Sequence, residues 1–207
     1  MSSAADSIGA RAPKRARGKQ RVAELLRAAT AVFAEKGYEA ATMTEIAARA
    51  SAPIGSLYQF FPVKEALADT LVQNYLALLV ADLEGLAARA AGIDAKVIVE
   101  ELFGLLRAYP RERAAVLPLA EARMDERTRR ATFRPLLRRH IAVILRAHSP
   151  ALPAEAARDI AMVVLSLMKA ANTLSDEEGL PGRVAGLREL QALTVQYLEQ
   201  RMPKRSA

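Results

Sequence analysis

The segment from Thr42 to Lys64 leaves this chain the fewest choices. Thr42-Met43-Thr44-Glu45 has the pattern of a capping box, in which the Thr42 hydroxyl accepts from the Glu45 amide and the Glu45 carboxylate reaches back to the Thr42 amide. The helix that starts there is expected to run to about Ala50, with Ile46, Ala47 and Ala50 on one face. Ser51-Ala52-Pro53 follows and is too short for anything but a tight turn. Pro53 suits a place at or just before the first turn of the next helix, expected over Ile54 to Phe60, because the amide that proline lacks would be unpaired there anyway. Two short helices across a tight turn make a helix-turn-helix. Upstream, Val22, Leu25, Leu26, Ala29, Val32 and Phe33 recur at helical spacing from Lys19 onward, and the run stops at Gly37, a residue suited to a left-handed C-terminal position.

Everything after this segment also reads as helix. Pro62 opens a long one whose apolar period runs through Leu67, Leu71, Tyr75, Leu78, Leu79, Leu83 and Leu86. Further helices are expected at 94–109, 111–122, 126–147, 153–174 and 183–201, with breaks at Pro110, Met124-Asp125, Ser149 to Pro153 and Gly179 to Gly182. Pro118 and Pro135 fall inside two of them and should kink the helix or move a boundary. The expectation is an all-α protein of about nine helices, without repeats or β-rich segments. Of the 207 residues, 52% are hydrophobic, enough to bury a core. With no cysteine, disulfides, thiolate catalysis and cysteine-ligated zinc are excluded. His140 and His148 have no clear acid or third ligand beside them, so no metal, cofactor or catalytic site is expected.

Charge is concentrated at the start. The formal net charge is +7, and between Ser7 and Ala23 there is no acid, only Arg11, Lys14, Arg15, Arg17, Lys19 and Arg21. Residues 1–18 have no apolar period and read as a disordered basic arm, of a kind that can follow a phosphate backbone or simply be a solvated tail. No apolar run follows Lys14, Arg15 and Arg17, and no stretch of about 20 uncharged apolar residues occurs, so neither export nor a membrane partner is indicated. A cytoplasmic location is the expectation.

Between Arg21 and Leu67 the chain resembles the DNA-binding domain of the TetR/AcrR family of regulators. The residues that carry the resemblance are Ala28-Ala29, Phe33, Gly37-Tyr38, Thr42, Ile46-Ala47, Ala50, Gly55-Ser56-Leu57-Tyr58, Phe61 and Lys64-Glu65-Ala66-Leu67. The resemblance implies a DNA-binding domain over 19–66 and a helical ligand-binding and dimerisation domain over 67–207. By type, Leu57, Phe60 and Phe61 are core residues that lock the third helix in place. Gly55 either lets a groove wall approach or packs tightly against a neighbouring helix. Tyr58 and Lys64 are the expected phosphate contacts, with Lys64 at a helix N-terminus. The resemblance adds Thr42 and Thr44 near the DNA backbone. Base reading falls to Ile54, Ser56 and Gln59. Pro53 departs from the family, where a serine hydroxyl often caps this helix.

The remainder matches the family by architecture only. Ile160, Val163, Val164, Leu167, Ala171 and Leu174 form one apolar stripe, and Leu187, Leu190, Thr194, Tyr197 and Leu198 another. Both stripes could face their own core, but the resemblance implies a dimer interface there, formed by Val163, Val164, Leu167, Leu187, Leu190, Thr194 and Tyr197. Candidates for an inducer pocket are Phe103, Arg107, Tyr109, Phe133, Met162, Met168 and Asn172, each also compatible with ordinary core or surface. Arg123, Arg127, Arg130, Arg134 and Arg138 share a helix face that could attract an acidic ligand or partner or, more simply, is solvated with acids nearby. The sequence reading is a homodimeric repressor on double-stranded operator DNA, released by a small-molecule inducer. The alternative is an interaction module or activator without an inducer.

Overall fold

The computed structural model describes residues 16–105, 107–123 and 126–202, without the side chains of 121–123 and 126–132. Lys14 and Arg15 lie outside these residues. Among the described residues there are nine α-helices and no strand: α1 (Ala16–Ala40), α2 (Met43–Arg49), α3 (Ile54–Phe60), α4 (Lys64–Arg89), α5 (Ala95–Gly104), α6 (Pro110–Arg123), α7 (Glu126–His148), α8 (Ala154–Asp176) and α9 (Arg183–Arg201). The chain divides into two compact units, one reaching to Ala77 and including Tyr109–Arg129, the other formed by Leu78–Ala108 and Arg130–Ala207. α4 contributes residues to both.

In the first unit, α1 buries Leu25, Ala29, Val32 and Phe33 of the stripe expected from its period and adds Ala28, while Val22 and Leu26 are half-buried. α1 already includes Ala16, Arg17 and Gly18, ahead of the expected Lys19, so Arg17 stands on a helix and not in an arm. At Gly37 the backbone takes φ 76° and ψ 171°, a region open in practice only to glycine, and α1 bends there before ending at Ala40. Ile46 and Ala47 of α2, Leu57 of α3, Phe61, and Leu67 and Leu71 of α4 close the core. α6 packs along α1 and buries Ala115, Val116, Leu119 and Ala120, so the helix-turn-helix unit draws in a helix from far beyond residue 66.

The turn between α2 and α3 is a Schellman closure. The Ala52 amide donates to the Ala47 carbonyl at 2.9 Å and the Ser51 amide to the Ala48 carbonyl at 3.0 Å. This places Ser51 at φ 48°, a left-handed conformation that usually selects glycine. Pro53 then takes the N-cap position, with φ −57° and no side-chain cap.

In the second unit, α8 and α9 pair and α5 packs on both. Leu83, Leu86, Ile98, Leu102, Ile141, Leu145, Ile160 and Val164 form its core. His148 is buried, and its Nδ1 lies 3.0 Å from the Ala90 carbonyl, which fixes it as a structural histidine. α5 ends at Gly104, earlier than expected. Pro110 does not precede α6 but opens it. Pro118 and Pro135 both lie within continuous helices. α4 is long and apolar enough to cross a membrane by length and composition, but its Leu67, Leu71, Tyr75, Leu79, Leu83 and Leu86 are buried, as in a core helix.

Because Ser51 carries a Cβ in a left-handed turn, Ser51→Gly is expected to raise unfolding free energy by about 1 kcal/mol in urea denaturation. An unchanged or lower midpoint would show that the turn is not strained.

Candidate nucleic-acid interface

α3 has only seven residues, and its two sides differ sharply. Each residue advances about 100° around a helix, so Ile54, Tyr58, Gly55 and Gln59 fall on one continuous arc. All four are exposed, Ile54 at 40% and Tyr58 at 48%. On the other side Leu57 is fully buried, Phe61 beyond the helix end is 1% exposed, and Phe60 is half-buried. Ser56, expected among the base-reading residues, is half-buried at the flank of the arc, with its amide bonded to the Pro53 carbonyl at 2.9 Å. The centre of the outward face is therefore Ile54, Gly55, Tyr58 and Gln59.

Gly55 is open to solvent, and a Cβ built there would meet nothing within 4 Å. This removes the tight-packing explanation, since no neighbouring helix needs the space. The fold itself would accept a methyl group there, and alanine would favour the helix.

The supports behind this face are visible in detail. The Glu45 amide donates to the Thr42 hydroxyl at 3.2 Å and the Thr42 amide donates to Glu45 Oε2 at 3.1 Å, the capping box read from sequence. Lys36 also bonds Glu45, and these partners, Lys36 first and then Thr42, hold the Glu45 carboxyl below its ordinary range. Arg49 pairs with Glu35 at 2.5 Å across α1 and α2. Thr42 thus has a structural task, while Thr44 is exposed on the first turn of α2 and its hydroxyl makes no hydrogen bond among the described residues. Arg17 is exposed on the first turn of α1.

Lys64 is placed differently from expectation. Its ammonium donates to the carbonyls of Tyr38 at 2.8 Å, Ala41 at 3.1 Å and Glu39 at 3.3 Å, and sits 4.4 Å from the centre of the Tyr38 ring. All three of its donors are used on the C-terminal end of α1. The Tyr38 hydroxyl in turn donates to Glu65 at 2.9 Å. The expected phosphate contact is therefore revised: Lys64 is a clamp between α4 and α1, drawn there because carbonyls at a helix end lack partners and carry partial negative charge.

The candidates in the second unit scatter. Phe103 and Arg107 line one small half-open cleft of about 30 Å³, together with Ala171, Ser175, Leu187 and Gln191, residues the sequence reading did not assign to a pocket. Met168 is buried in the core, Met162 is 46% exposed and Phe133 is half-buried. Asn172 donates to Asp176 at 3.1 Å. Tyr109 belongs to the first unit, at φ 54° ahead of Pro110. Two of the expected dimer residues face their own core: Val164 and Thr194 are fully buried, and the Thr194 hydroxyl bonds the Leu190 carbonyl at 2.7 Å. Leu167, Leu187, Leu190 and Tyr197 are half-buried against the same core. Val163 does face outward, alongside Met162 on α8, and on α9 the outward apolar residues are Val184 and Leu193.

A short helix with an exposed face, held across a tight turn by a buried one, defines the helix-turn-helix class of transcriptional regulators. Residues 25–71 match the model of the bacterial regulatory proteins of the tetR family. The match covers 47 of the 207 residues, so the chain is similar to this family of regulators through its helix-turn-helix segment. It is 35% identical over 79 residues to the HTH-type transcriptional repressor KstR2 of Rhodococcus jostii, a match that spans 38% of each chain. Among solved structures it is similar to a putative TetR-family transcriptional regulator from Mesorhizobium loti, at 20% identity and a TM-score of 0.62, over 90% of this chain and 97% of that one. It is also similar to a gamma-butyrolactone receptor, at 22% identity and a TM-score of 0.54, over 87% of this chain and 99% of that one. These two likenesses concern the fold.

Two substitutions separate the roles of this site. Gly55→Ala is expected to leave the melting temperature unchanged or raised, since alanine favours a helix by up to about 1 kcal/mol, while weakening DNA binding about tenfold or more in fluorescence anisotropy. Lys64→Met is expected to lower stability by about 1–3 kcal/mol in denaturant titration, because three carbonyls lose a charged donor. A Lys64→Met protein of unchanged stability would return Lys64 to the list of free cations.

Proposed function

We propose that the protein is a homodimeric repressor that binds double-stranded operator DNA in the cytoplasm and leaves it when a small molecule binds. The observation that carries this reading is the outward face of α3, where Ile54, Gly55, Tyr58 and Gln59 stand exposed on a helix anchored from behind by Leu57. Set in a major groove, Gln59 can pair with adenine and Ile54 can meet a thymine methyl, with Ser56 at the edge. The Tyr58 phenol and the Thr44 hydroxyl are donors suited to phosphate, and Arg17 extends that set with Lys14 and Arg15.

Seven residues of reading helix cover too few base pairs for useful specificity, which favours pairing of two copies on half-sites about one helical turn apart. The pairing surface best supported is the outward side of α8 and α9, through Met162, Val163, Val184 and Leu193, which leave large apolar side chains in water. Release by a small molecule rests on the likeness to a receptor for a gamma-butyrolactone and on the presence of a partly apolar cleft. Such release needs only that the molecule bind one conformation better than the other.

Selection from random duplexes by the purified protein is expected to yield a two-fold symmetric sequence. Against it, Tyr58→Ala should weaken binding about tenfold or more, and Gln59→Ala should relax preference at one position in each half-site by about 1–3 kcal/mol. Val163→Glu with Leu193→Glu should give monomers that bind far more weakly. Selection without any sequence preference would overturn the proposal in favour of a module that acts through protein partners.

A further inference from the structure

α3 carries no charge. Its residues Ile54–Phe60 include no Lys, Arg, Asp or Glu. Between Thr42 and Lys64 the charged residues are Glu45, Arg49 and Lys64 alone, and all three are engaged within the protein. Glu45 bonds Thr42 and Lys36, Arg49 pairs with Glu35, and Lys64 donates to the carbonyls of Tyr38, Glu39 and Ala41. What α3 turns outward is instead the Ile54 side chain, the Tyr58 ring, bare backbone at Gly55 and the Gln59 amide.

This composition limits which base pairs the helix can recognise. Guanine is read most often by Arg or Lys donating to O6 and N7, and the cytosine amino group by a carboxylate that accepts from it. α3 offers neither. The Gln59 amide matches adenine, donating to N7 and accepting from the N6 amino group. The apolar groups match the apolar feature of the major-groove floor, the C5-methyl group of thymine. Gly55 leaves room for that methyl: a Cβ there would meet nothing within 4 Å, while Ile54 precedes it in the chain and Tyr58 and Gln59 stand one turn further along the same face.

We propose that α3 reads the C5-methyl groups of pyrimidines, so that the base pairs beneath it are A·T pairs, recognised through thymine methyls seated at Gly55 against Ile54 and Tyr58 and through adenine paired with Gln59. The proposal rests on the reading of α3 as the DNA-contacting helix and names the bases it takes. It carries a consequence for modified DNA. 5-Methylcytosine bears its methyl group at the same place in the groove as thymine, so at these positions it replaces thymine better than cytosine does, and binding responds to cytosine methylation.

The test uses the full-length protein and the duplex it selects from random sequence. Positions whose preference shifts in Ile54→Ala or Gln59→Ala lie beneath α3. Both residues are exposed, so both variants are expected to fold as the parent does, and melting curves check this. At the mapped positions the expected pairs are A·T. Deoxyuridine in place of thymine removes only the methyl group, and there it is expected to weaken binding about fourfold per methyl, the value of one buried methyl group. Where C·G is put in place of T·A, 5-methylcytosine is expected to recover about fourfold of the loss. Gly55→Ala, which fills the space, should bind thymine and deoxyuridine duplexes alike. G·C pairs at the mapped positions, no shift of preference in either variant, or equal binding of thymine and deoxyuridine duplexes by the parent protein overturns the proposal and leaves the repressor reading standing. Selection without any sequence preference removes that reading, and the proposal with it.

Discussion

A seven-residue helix does not hold its shape alone in water, because nucleation costs more than so few hydrogen bonds return. α3 exists as a helix because Leu57 is fully buried and Phe61 nearly so. Everything else in the first unit serves that burial. The capping box starts α2 at a defined residue, the Schellman turn at Ser51 redirects the chain within three residues, and the Lys64 clamp ties the start of α4 to the end of α1. α6 completes the floor by packing along α1. The outward face of α3 is thereby presented on a firm support, although none of its own side chains contributes much to the fold.

This division explains the composition of α3. Ile54 and Tyr58 leave apolar surface in water and Gly55 weakens the helix, and each choice costs stability without benefit inside the protein. Such costs persist where the surface is used for something else. The ion pairs around the site, Lys36 with Glu45 and Arg49 with Glu35, are exposed and add little to stability. Their effect is to commit two cations to contacts within the protein.

The second unit follows another logic. Its core takes the inner sides of α5, α8 and α9, which leaves Met162, Val163, Val184 and Leu193 outside and the cleft between the helices. The stripe read from sequence on α8 mixed both sides, because Val163 and Val164 are neighbours in the chain and nearly 100° apart on the helix. Adjacent valines look alike in a periodicity, and only packing tells which one faces in.

The sequence alone determined the all-α class, eight of the nine helices to within a few residues at most, the capping box and the buried roles of Leu57 and Phe61, since these depend on interactions within a few residues along the chain. α5 fell outside that accuracy, because Gly104 ends it while the residues after it keep an apolar character that reads as helix. Tertiary structure decided the rest. It turned Lys64 from a candidate phosphate contact into a clamp, because the carbonyls it meets lie more than twenty residues earlier in the chain. It moved Ser56 to the flank and cleared the space around Gly55, and it sorted Val164 and Thr194 into the core and Val163 onto the surface. It also gathered Arg107, Ser175 and Gln191 at one opening. Local patterns record which residues can form a helix and which side is apolar; the partner of a long side chain depends on which distant backbone the fold brings within its reach.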